Sequence, residues 1–198
     1  LCREARDHGL TGLEFAFGIP GSVGGGVYMN AGAYGGQFAD VLHSVTLLSP
    51  ETGTLRTAPA AELQLDYRHS ALMQTNDVVV DATFRLSAGN VEAITARMEE
   101  LMAKRRDKQP LEYPSAGSFF KRPQGHFAAA LIDQCGLKGF AVGDAQVSEK
   151  HAGFVINRGH ATCRDMIALK REVCRRVWEQ CQVALEPEVA LIGRNVSW

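Results

Sequence analysis

Three polar side chains have sequence surroundings that suit catalysis. Ser118 follows two small residues and precedes two phenylalanines, a pattern that exposes a hydroxyl group beside side chains that exclude water. Arg68, within Tyr67-Arg68-His69-Ser70, carries a planar guanidinium that can bind a carboxylate through two parallel hydrogen bonds. Glu188 is a carboxylate in an otherwise apolar, strand-like segment near the end of the chain. These residue types suggest proton donation and carboxylate binding.

Each of these residues also has an ordinary structural interpretation. A serine commonly belongs to a turn or a cap, an arginine after a tyrosine usually lies at the surface, and a strand glutamate usually faces solvent. Ser118 has no GxSxG surroundings, and none of the six histidines has a triad spacing, so a serine hydrolase is disfavoured. The histidines also lack an HExxH or paired spacing, and the sequence therefore predicts no metal site.

A glycine-rich segment is the second candidate for chemistry. Glycines 18, 21, 24, 25 and 26 surround Pro20 and leave a main chain with few Cβ atoms, whose N–H groups can converge on an anion such as a nucleotide diphosphate. Their spacing matches neither GxGxxG nor GxxxxGK[ST]. A ligand loop and a set of tight, closely packed turns therefore remain equally good interpretations. Asn30 and Tyr34 continue the segment with polar groups that could line a pocket for a flat ring.

The basic run at 104–108 and the cysteines are less specific. The basic run suits a solvated helix end, and its functional interpretation is the binding of a diphosphate.

The five cysteines include no CxxC pair, and reduced thiols fit a cytosolic protein. Cys174 and Cys181 are seven residues apart in a helical pattern, so we interpret them as part of a buried helix face.

Bulk properties restrict the class of protein. With 198 residues, 45% of them hydrophobic and 22% charged, the chain can form one substantial core or two smaller ones. A net charge of -1 gives no general attraction for nucleic acid or an anionic membrane. No apolar run is long enough to span a membrane and no signal peptide is visible, so we expect a soluble, cytosolic protein. Its oligomeric state is left open.

The periodicity of apolar residues predicts an α+β fold with two lobes. Strand patterns cover 41–48 and 77–86, and helical patterns cover 90–106, 127–135 and 162–181, with a further short strand at 153–157. The predicted organisation is a first region at 1–108, a second domain at 109–184, and a closing strand at 185–198 that returns to the first region.

Five motifs occur in the order and approximate spacing of one enzyme family: GLEFAFGIPGSVGGGVYMNAGAYGG, YRHS, YPSAGSFFKRP, GDAQVSEKHAGFVIN and LEPEVALIG. The chain thereby resembles the UDP-N-acetylenolpyruvoylglucosamine reductases, in their shorter type II form. The resemblance implies FAD as cofactor, NADPH as hydride donor, and reduction of a UDP-sugar enolpyruvyl ether to UDP-N-acetylmuramate for peptidoglycan. It makes 1–108 part of an FAD-binding α+β region and 109–184 a smaller α+β substrate-binding domain. It implies a small-molecule partner and no nucleic-acid or membrane partner.

The resemblance also assigns roles to residues. It makes Ser118 the proton donor, and it implies that Arg68 and Glu188 hold and polarise the substrate carboxylate. The expected substrate contacts are Tyr67, Lys108, Asn30 and Tyr34. The expected cofactor contacts are the following residues of one loop: Gly18, Ile19, Pro20, Gly21, Ser22, Gly24 and Gly25.

One further expectation concerns the completeness of the chain, and two alternative functions stay open. The family's first glycine-rich loop, of the GGGSN kind, does not occur in this chain, which begins with Leu1, and we expect an N-terminal part of the enzyme to be absent. Alternatives are another FAD-dependent oxidoreductase, whose resemblance would end near residue 90, and a truncated, non-catalytic nucleotide-binding fragment.

Overall fold

The computed structural model describes residues 1–194 and 197–198, which form two compact units. Unit 1 comprises Leu1–Lys104 and unit 2 comprises Arg105–Trp198. Both units combine helices with antiparallel sheet, which confirms the predicted α+β fold class. The boundary lies within a helix, four residues before the predicted boundary at 108.

Unit 1 is organised around a small antiparallel sheet. Its helices and strands, in chain order, are α1 (Cys2–Asp7), β1 (Leu10–Thr11), α2 (Val23–Tyr28), β2 (Gly32–Ala33), β3 (Gly36–Gln37), β4 (Leu42–Leu48), β5 (Leu55–Pro59), β6 (Val78–Phe84), β7 (Ser87–Ala88) and α3 (Val91–Lys108), the last of which continues across the boundary. Strand β4 lies between β5 and β6, and β1 pairs with β7. Short 3₁₀ turns at Glu14–Ala16, Phe38–Asp40, Ala60–Leu63 and Ala71–Gln74 connect these elements.

Alternation along β4 explains why it is the central strand of unit 1. Leu42, Val45 and Leu47 are buried, while residues between them are more exposed. A change of register between Leu42 and Ser44 in the pairing with β6 keeps these apolar side chains on the core side. Each fully buried aliphatic side chain contributes roughly 1.5–3 kcal/mol. Strand β4 therefore supplies much of the apolar core on which the glycine-rich segment rests.

Unit 2 contains a four-stranded antiparallel sheet and two helices. The elements are β8 (Ser115–Ser118), α4 (Ala128–Gln134), β9 (Ala141–Val142), β10 (Ala145–Val147), β11 (Phe154–Asn157) and α5 (Cys163–Cys181), with the sheet order β8-β11-β10-β9. Helix α5 begins with a reciprocal capping box between Thr162 and Asp165. Leu169, Val173 and Val177 recur every four residues and are buried in the core of the unit.

The segment after α5 pairs with the residues that follow β8. The sequence predicts a closing strand at 185–198 that returns to the first region; residues 195–196 of that range lie outside the described residues, and the described part belongs to unit 2. The Lys121 amide donates to the Glu186 carbonyl and the Glu188 amide donates to the Phe119 carbonyl, each at 2.9 Å. Pro187, which has no N–H, lies between the acceptor Glu186 and the donor Glu188 and is an isolated bridge partner of Phe120.

Candidate functional site

The exposed part of the glycine-rich segment precedes α2. Gly18, Pro20, Gly21 and Ser22 are exposed. Gly18 has φ +83° and Gly21 has φ +139°, conformations that L side chains rarely adopt, and a Cβ at Gly21 would have no neighbour within 4 Å. The Ser22 hydroxyl caps α2 by accepting from the Gly25 amide at 3.0 Å. The main chain of this segment is thus exposed to solvent, and a nucleotide could approach it at the two glycines, which carry no side chain.

Gly26 serves packing instead. A Cβ on Gly26 would lie 2.6 Å from Cε2 of Phe38, a distance that real contacts do not show. A Cβ on Gly24 would lie 3.4 Å from the Val79 carbonyl oxygen on β6, an ordinary contact distance. Gly26 therefore allows α2 to lie directly against Phe38 of the core. The two interpretations of the glycine cluster apply to different members: Gly18 and Gly21 provide exposed main chain, whereas Gly26 provides close approach.

Arg68 occupies a two-residue turn with an unusual backbone conformation. Asp66 and His69 exchange two backbone hydrogen bonds of 3.1 Å, and Tyr67 and Arg68 form the loop between them. Arg68 has φ +52°, an unfavourable region for a residue with a long side chain. Its guanidinium lies 5.3 Å from the centroid of the Tyr67 ring, and that ring is 52% exposed. Such strained turns persist where surrounding contacts hold them.

Asn30 supplies part of that support. Its side chain is buried, and its Nδ2 donates to the Asp66 carbonyl and to Oε1 of Gln37, both at 3.1 Å. Its Oδ1 accepts from the Ala39 amide at 2.9 Å. We predicted Asn30 as a substrate contact; the structure shows its amide engaged with protein partners, one of which begins the Arg68 turn. Its observed contacts are those of a residue that positions the turn.

Ser70 fixes the other end of the same turn, and sequence reasoning did not single it out for this role. The fully buried Ser70 hydroxyl donates to the Tyr28 carbonyl at 2.7 Å. Tyr28 is the last residue of α2, so the turn is attached directly to the glycine-rich segment. The available sequence signal was a serine two residues after Arg68 among otherwise exposed polar residues.

Tyr34 lies at the tip of a short hairpin. Strands β2 and β3 pair Ala33 with Gly36, which leaves Tyr34 and Gly35 as the two loop residues. Both have positive φ, +52° and +87°, as a type I′ turn requires. The Tyr34 side chain is 39% exposed, which leaves its ring accessible from solvent.

Ser118 and Glu188 lie on adjacent, hydrogen-bonded segments of unit 2. The Phe119 amide donates to the Gly153 carbonyl at 2.8 Å, and the Phe119 carbonyl accepts from the Glu188 amide at 2.9 Å. Strand β8 is thereby continued between β11 and the segment that carries Glu188. Ser118 is exposed while Phe119 and Phe120 are buried, with their rings in edge contact at 5.2 Å. The structure thus places the backbone of Glu188 next to the strand that ends at the exposed Ser118.

Two basic side chains of unit 2, those of Lys121 and Lys150, are bound to other protein groups. Lys121 forms an ion pair with Glu186, so its ammonium group already has a carboxylate partner. Lys108 is the exposed last residue of α3. In that region the Lys150 ammonium donates to the Arg106 carbonyl at 2.7 Å, which satisfies one of the unpaired carbonyls at the helix end.

His151 was not singled out by sequence reasoning, although it lies within one of the quoted motifs. Burial lowers the pKa of its imidazole, and the positive charges of Lys138 and Lys108 act in the same direction. Its Nδ1 accepts from the Gly153 amide at 3.1 Å, a bond that requires this nitrogen to be unprotonated. Its ring lies in edge contact with Phe154, the residue paired with Ser118 across the sheet.

The predicted site residues are therefore divided between the units. Arg68, Tyr67, Asn30, Tyr34 and the glycine-rich loop belong to unit 1, whereas Ser118, Glu188 and Lys108 belong to unit 2. Among the described residues, no cluster of three or more His, Cys, Asp or Glu side chains could hold a metal ion. Within the same part of the chain, no helix combines the length and apolar character needed to cross a membrane.

Two family models match the chain. Residues 1–58 match the FAD binding domain family, and residues 109–192 match the family described as UDP-N-acetylenolpyruvoylglucosamine reductase, C-terminal domain. The second match lies beyond residue 90, where a resemblance to a different flavin oxidoreductase would have ended.

Individual relatives and a solved structure agree with these matches. The UDP-N-acetylenolpyruvoylglucosamine reductase of Agathobacter rectalis is 54% identical over 193 residues, covering 98% of this chain and 61% of the relative. That of Lachnoclostridium phytofermentans is 55% identical, covering 95% and 60%. The crystal structure of UDP-N-acetylenolpyruvylglucosamine reductase (MurB) from Thermus caldophilus has a TM-score of 0.82 and 38% identity, covering 94% of this chain and 67% of that one. The chain spans about three fifths of the length of these curated relatives.

Proposed function

Because this chain belongs to the UDP-N-acetylenolpyruvoylglucosamine reductase family, we propose that it forms the substrate-reducing part of such an enzyme. The proposed reaction converts UDP-N-acetylglucosamine enolpyruvate to UDP-N-acetylmuramate in peptidoglycan synthesis, in the cytoplasm, with NADPH as reductant. The observation that carries this proposal is the pairing of the segment after Ser118 with the segment of Glu188, within the residues that match the family's C-terminal domain.

The residues of unit 1 fit FAD. The exposed main chain at Gly18 and Gly21 has no side chain to obstruct a flat or anionic ligand, and it lies within the part that matches an FAD binding domain. The other proposed cofactor contacts are Ile19, Pro20, Ser22, Gly24 and Gly25. When bound, FAD takes electrons from NADPH and supplies the hydride for the enolpyruvyl double bond.

The protein residues handle the proton and the carboxylate. Hydride addition at the terminal carbon of the double bond leaves negative charge on the carbon beside the carboxylate. The Arg68 guanidinium is proposed to bind that carboxylate, and positive charge there stabilises the developing anion. Ser118 is proposed to donate its hydroxyl proton to the same carbon, while Glu188 holds and polarises the carboxylate end of the substrate.

The remaining proposed substrate contacts rest on different observations. Tyr67 and Tyr34 expose their rings and are proposed to line the substrate site, and Lys108 is proposed to bind its diphosphate. Asn30 is proposed to act on the substrate through the Arg68 turn, since its amide is engaged with Asp66 and other protein groups.

Visible absorption of the flavin tests this proposal. The protein is titrated with FAD, reduced anaerobically with NADPH, and then mixed with the enolpyruvyl UDP-sugar. Bleaching by NADPH followed by recovery of colour with that sugar supports the reductase function. If no flavin binds, the same titration on a chain extended at its N-terminus to the length of the relatives separates an incomplete cofactor site from a wrong function.

Ser118→Ala separates proton donation from hydride supply. We expect bleaching by NADPH to be nearly unchanged and recovery of colour to slow by roughly 10²–10⁴-fold, the usual contribution of a general acid. Ser115→Ala, which removes another exposed hydroxyl from β8, is the matched control and should behave as the parent protein. Equal slowing of both half-reactions by Ser118→Ala would refute the proton-donor role.

A further inference from the structure

Two thiols of unit 2 meet although they are distant in sequence. The sulfur atoms of Cys135 and Cys181 lie 3.7 Å apart, and the residues are separated by 46 positions. Both side chains are partly buried, and both pack against the core of the unit. Sequence reasoning had grouped Cys181 with Cys174, but the Cys174 thiol donates instead to the Leu185 carbonyl at 3.5 Å.

Both cysteines lie at the C-terminal end of a helix. Cys135 follows the last residue of α4, and Cys181 is the last residue of α5. Gly136 has φ +66° and Gln182 has φ +56°, so the chain leaves each helix immediately after the cysteine. A cysteine at such an end has fewer constraints than one inside a helix. The sulfurs, 3.7 Å apart, must approach to the bonding distance of about 2.05 Å for a disulfide to form.

Burial keeps the Cys135 thiol protonated near neutral pH. Burial and the interaction with Cys181 raise the pKa of the Cys135 thiol to about 11. The carbonyl end of a helix carries partial negative charge, which also disfavours a thiolate at Cys135. Because the thiolate is the reactive form, Cys135 should react slowly with weak oxidants and faster as pH rises.

We propose that Cys135 and Cys181 form a reversible dithiol–disulfide couple that links the ends of α4 and α5 when a small azo or disulfide oxidant is present. With an azo oxidant, two S–H bonds break and one S–S bond forms. The two electrons reduce the N=N bond to a hydrazine, and the two protons end on its nitrogens. A small thiol in excess reverses the change. This inference is independent of the proposed function, since it concerns only contacts within unit 2.

The bridge would have a mechanical consequence for unit 2. It closes a loop that contains β9, β10, β11 and α5, so it removes conformational freedom from the unfolded chain. The segment that leads to Glu188 begins directly after Cys181, and the Leu185 carbonyl on it accepts from Cys174. Oxidation is therefore expected to stabilise the unit from which this segment emerges.

Diamide oxidation of the full chain tests the proposal. The protein is treated with diamide, unfolded, alkylated with N-ethylmaleimide and analysed by peptide mass mapping. We expect a peptide cross-link between Cys135 and Cys181 and alkylation of the other cysteines, Cys2, Cys163 and Cys174. The thermal midpoint, followed by tryptophan fluorescence, should rise by about 5 °C or more. The rate of bridge formation should increase several-fold from pH 7 to pH 8.

Single substitutions provide the control. Cys135→Ser and Cys181→Ser should each abolish the cross-link and the rise in midpoint, whereas Cys163→Ser, which changes an exposed thiol, should preserve both. Alkylation of Cys135 and Cys181 in the oxidised parent protein, or a bridge between any other pair, would overturn the proposal. The parent protein gives this result by itself, so a substitution that impairs folding does not leave the question open.

Discussion

Asn30→Ala tests whether one buried amide holds the Arg68 turn. The substitution removes hydrogen bonds to Asp66, to Gln37 and to Ala39, and each such bond contributes about 1 kcal/mol. Asn30 also has φ +43°, where alanine costs about a further 1 kcal/mol because its Cβ approaches the following carbonyl. The expected loss in free energy of unfolding is therefore about 4 kcal/mol.

Two further variants separate the hydrogen-bond part of this loss in free energy of unfolding from the backbone part. Asn30→Gly loses the same hydrogen bonds but tolerates the positive φ, so we expect a loss of about 3 kcal/mol. Gln37→Ala removes one of the three partners of Asn30, together with an exposed hydrogen bond from Gln37 to Asp40, and should cost about 1–2 kcal/mol. The order of the three losses is thus predicted along with their size.

Urea denaturation followed by far-UV circular dichroism measures these losses. Hydrogen exchange with mass spectrometry then locates the change, because the His69 amide donates to the Asp66 carbonyl inside the turn. In Asn30→Ala, peptides covering 64–72 should exchange faster than in the parent. A loss below about 1 kcal/mol, or unchanged exchange in those peptides, would show that the buried amide does not hold the turn.

Other perturbations test packing and pH dependence. Gly26→Ala should destabilise the protein by about 1–3 kcal/mol in thermal unfolding, since its Cβ would clash with Phe38. Gly25→Ala, whose Cβ would lie 3.3 Å from the Ser22 hydroxyl, should cost less; equal effects would contradict the packing argument. The folded-state pKa of His151 lies below its ordinary 6.5 through burial, so the unfolded chain binds the extra proton and stability should fall as pH drops from 7 to 5. His151→Asn retains an acceptor for Gly153 and should flatten that dependence in urea unfolding followed by tryptophan fluorescence; an unchanged slope would contradict it.

Strongly periodic elements were predictable from the sequence. Helix α5 repeats Leu169, Val173 and Val177 on one face and begins with Thr162 and Asp165, both of which are local signals. Strand β4 alternates apolar and polar residues, and the predicted segment 41–48 matches Leu42–Leu48 closely. Such elements are visible because one side of each is buried and the pattern records that burial.

Strand β5 was not predicted, and the reason is its exposure. Of Leu55–Pro59, only Ala58 is buried, and Leu55 is 63% exposed. An edge strand of this kind is held by backbone hydrogen bonds to β4, which any residue except proline can donate. Its apolar side chains therefore carry no alternation from which a strand could be inferred.

The candidate chemistry followed from residue types, but its arrangement did not. Ser118, Arg68 and Glu188 were identified from their motifs, and the family membership was confirmed by the comparisons. The sequence by itself determined these residue types, the α+β class and the elements with clear periodicity, because all of these are recorded in neighbouring residues.

Only the tertiary structure decided which distant groups meet. It placed Glu188 beside the strand of Ser118, assigned the Asn30 amide to the Arg68 turn, and joined Cys135 with Cys181 across 46 residues. It also separated glycines that expose main chain from Gly26, whose missing Cβ admits Phe38. These contacts depend on how packed elements bring remote segments together, and local sequence patterns carry no record of that.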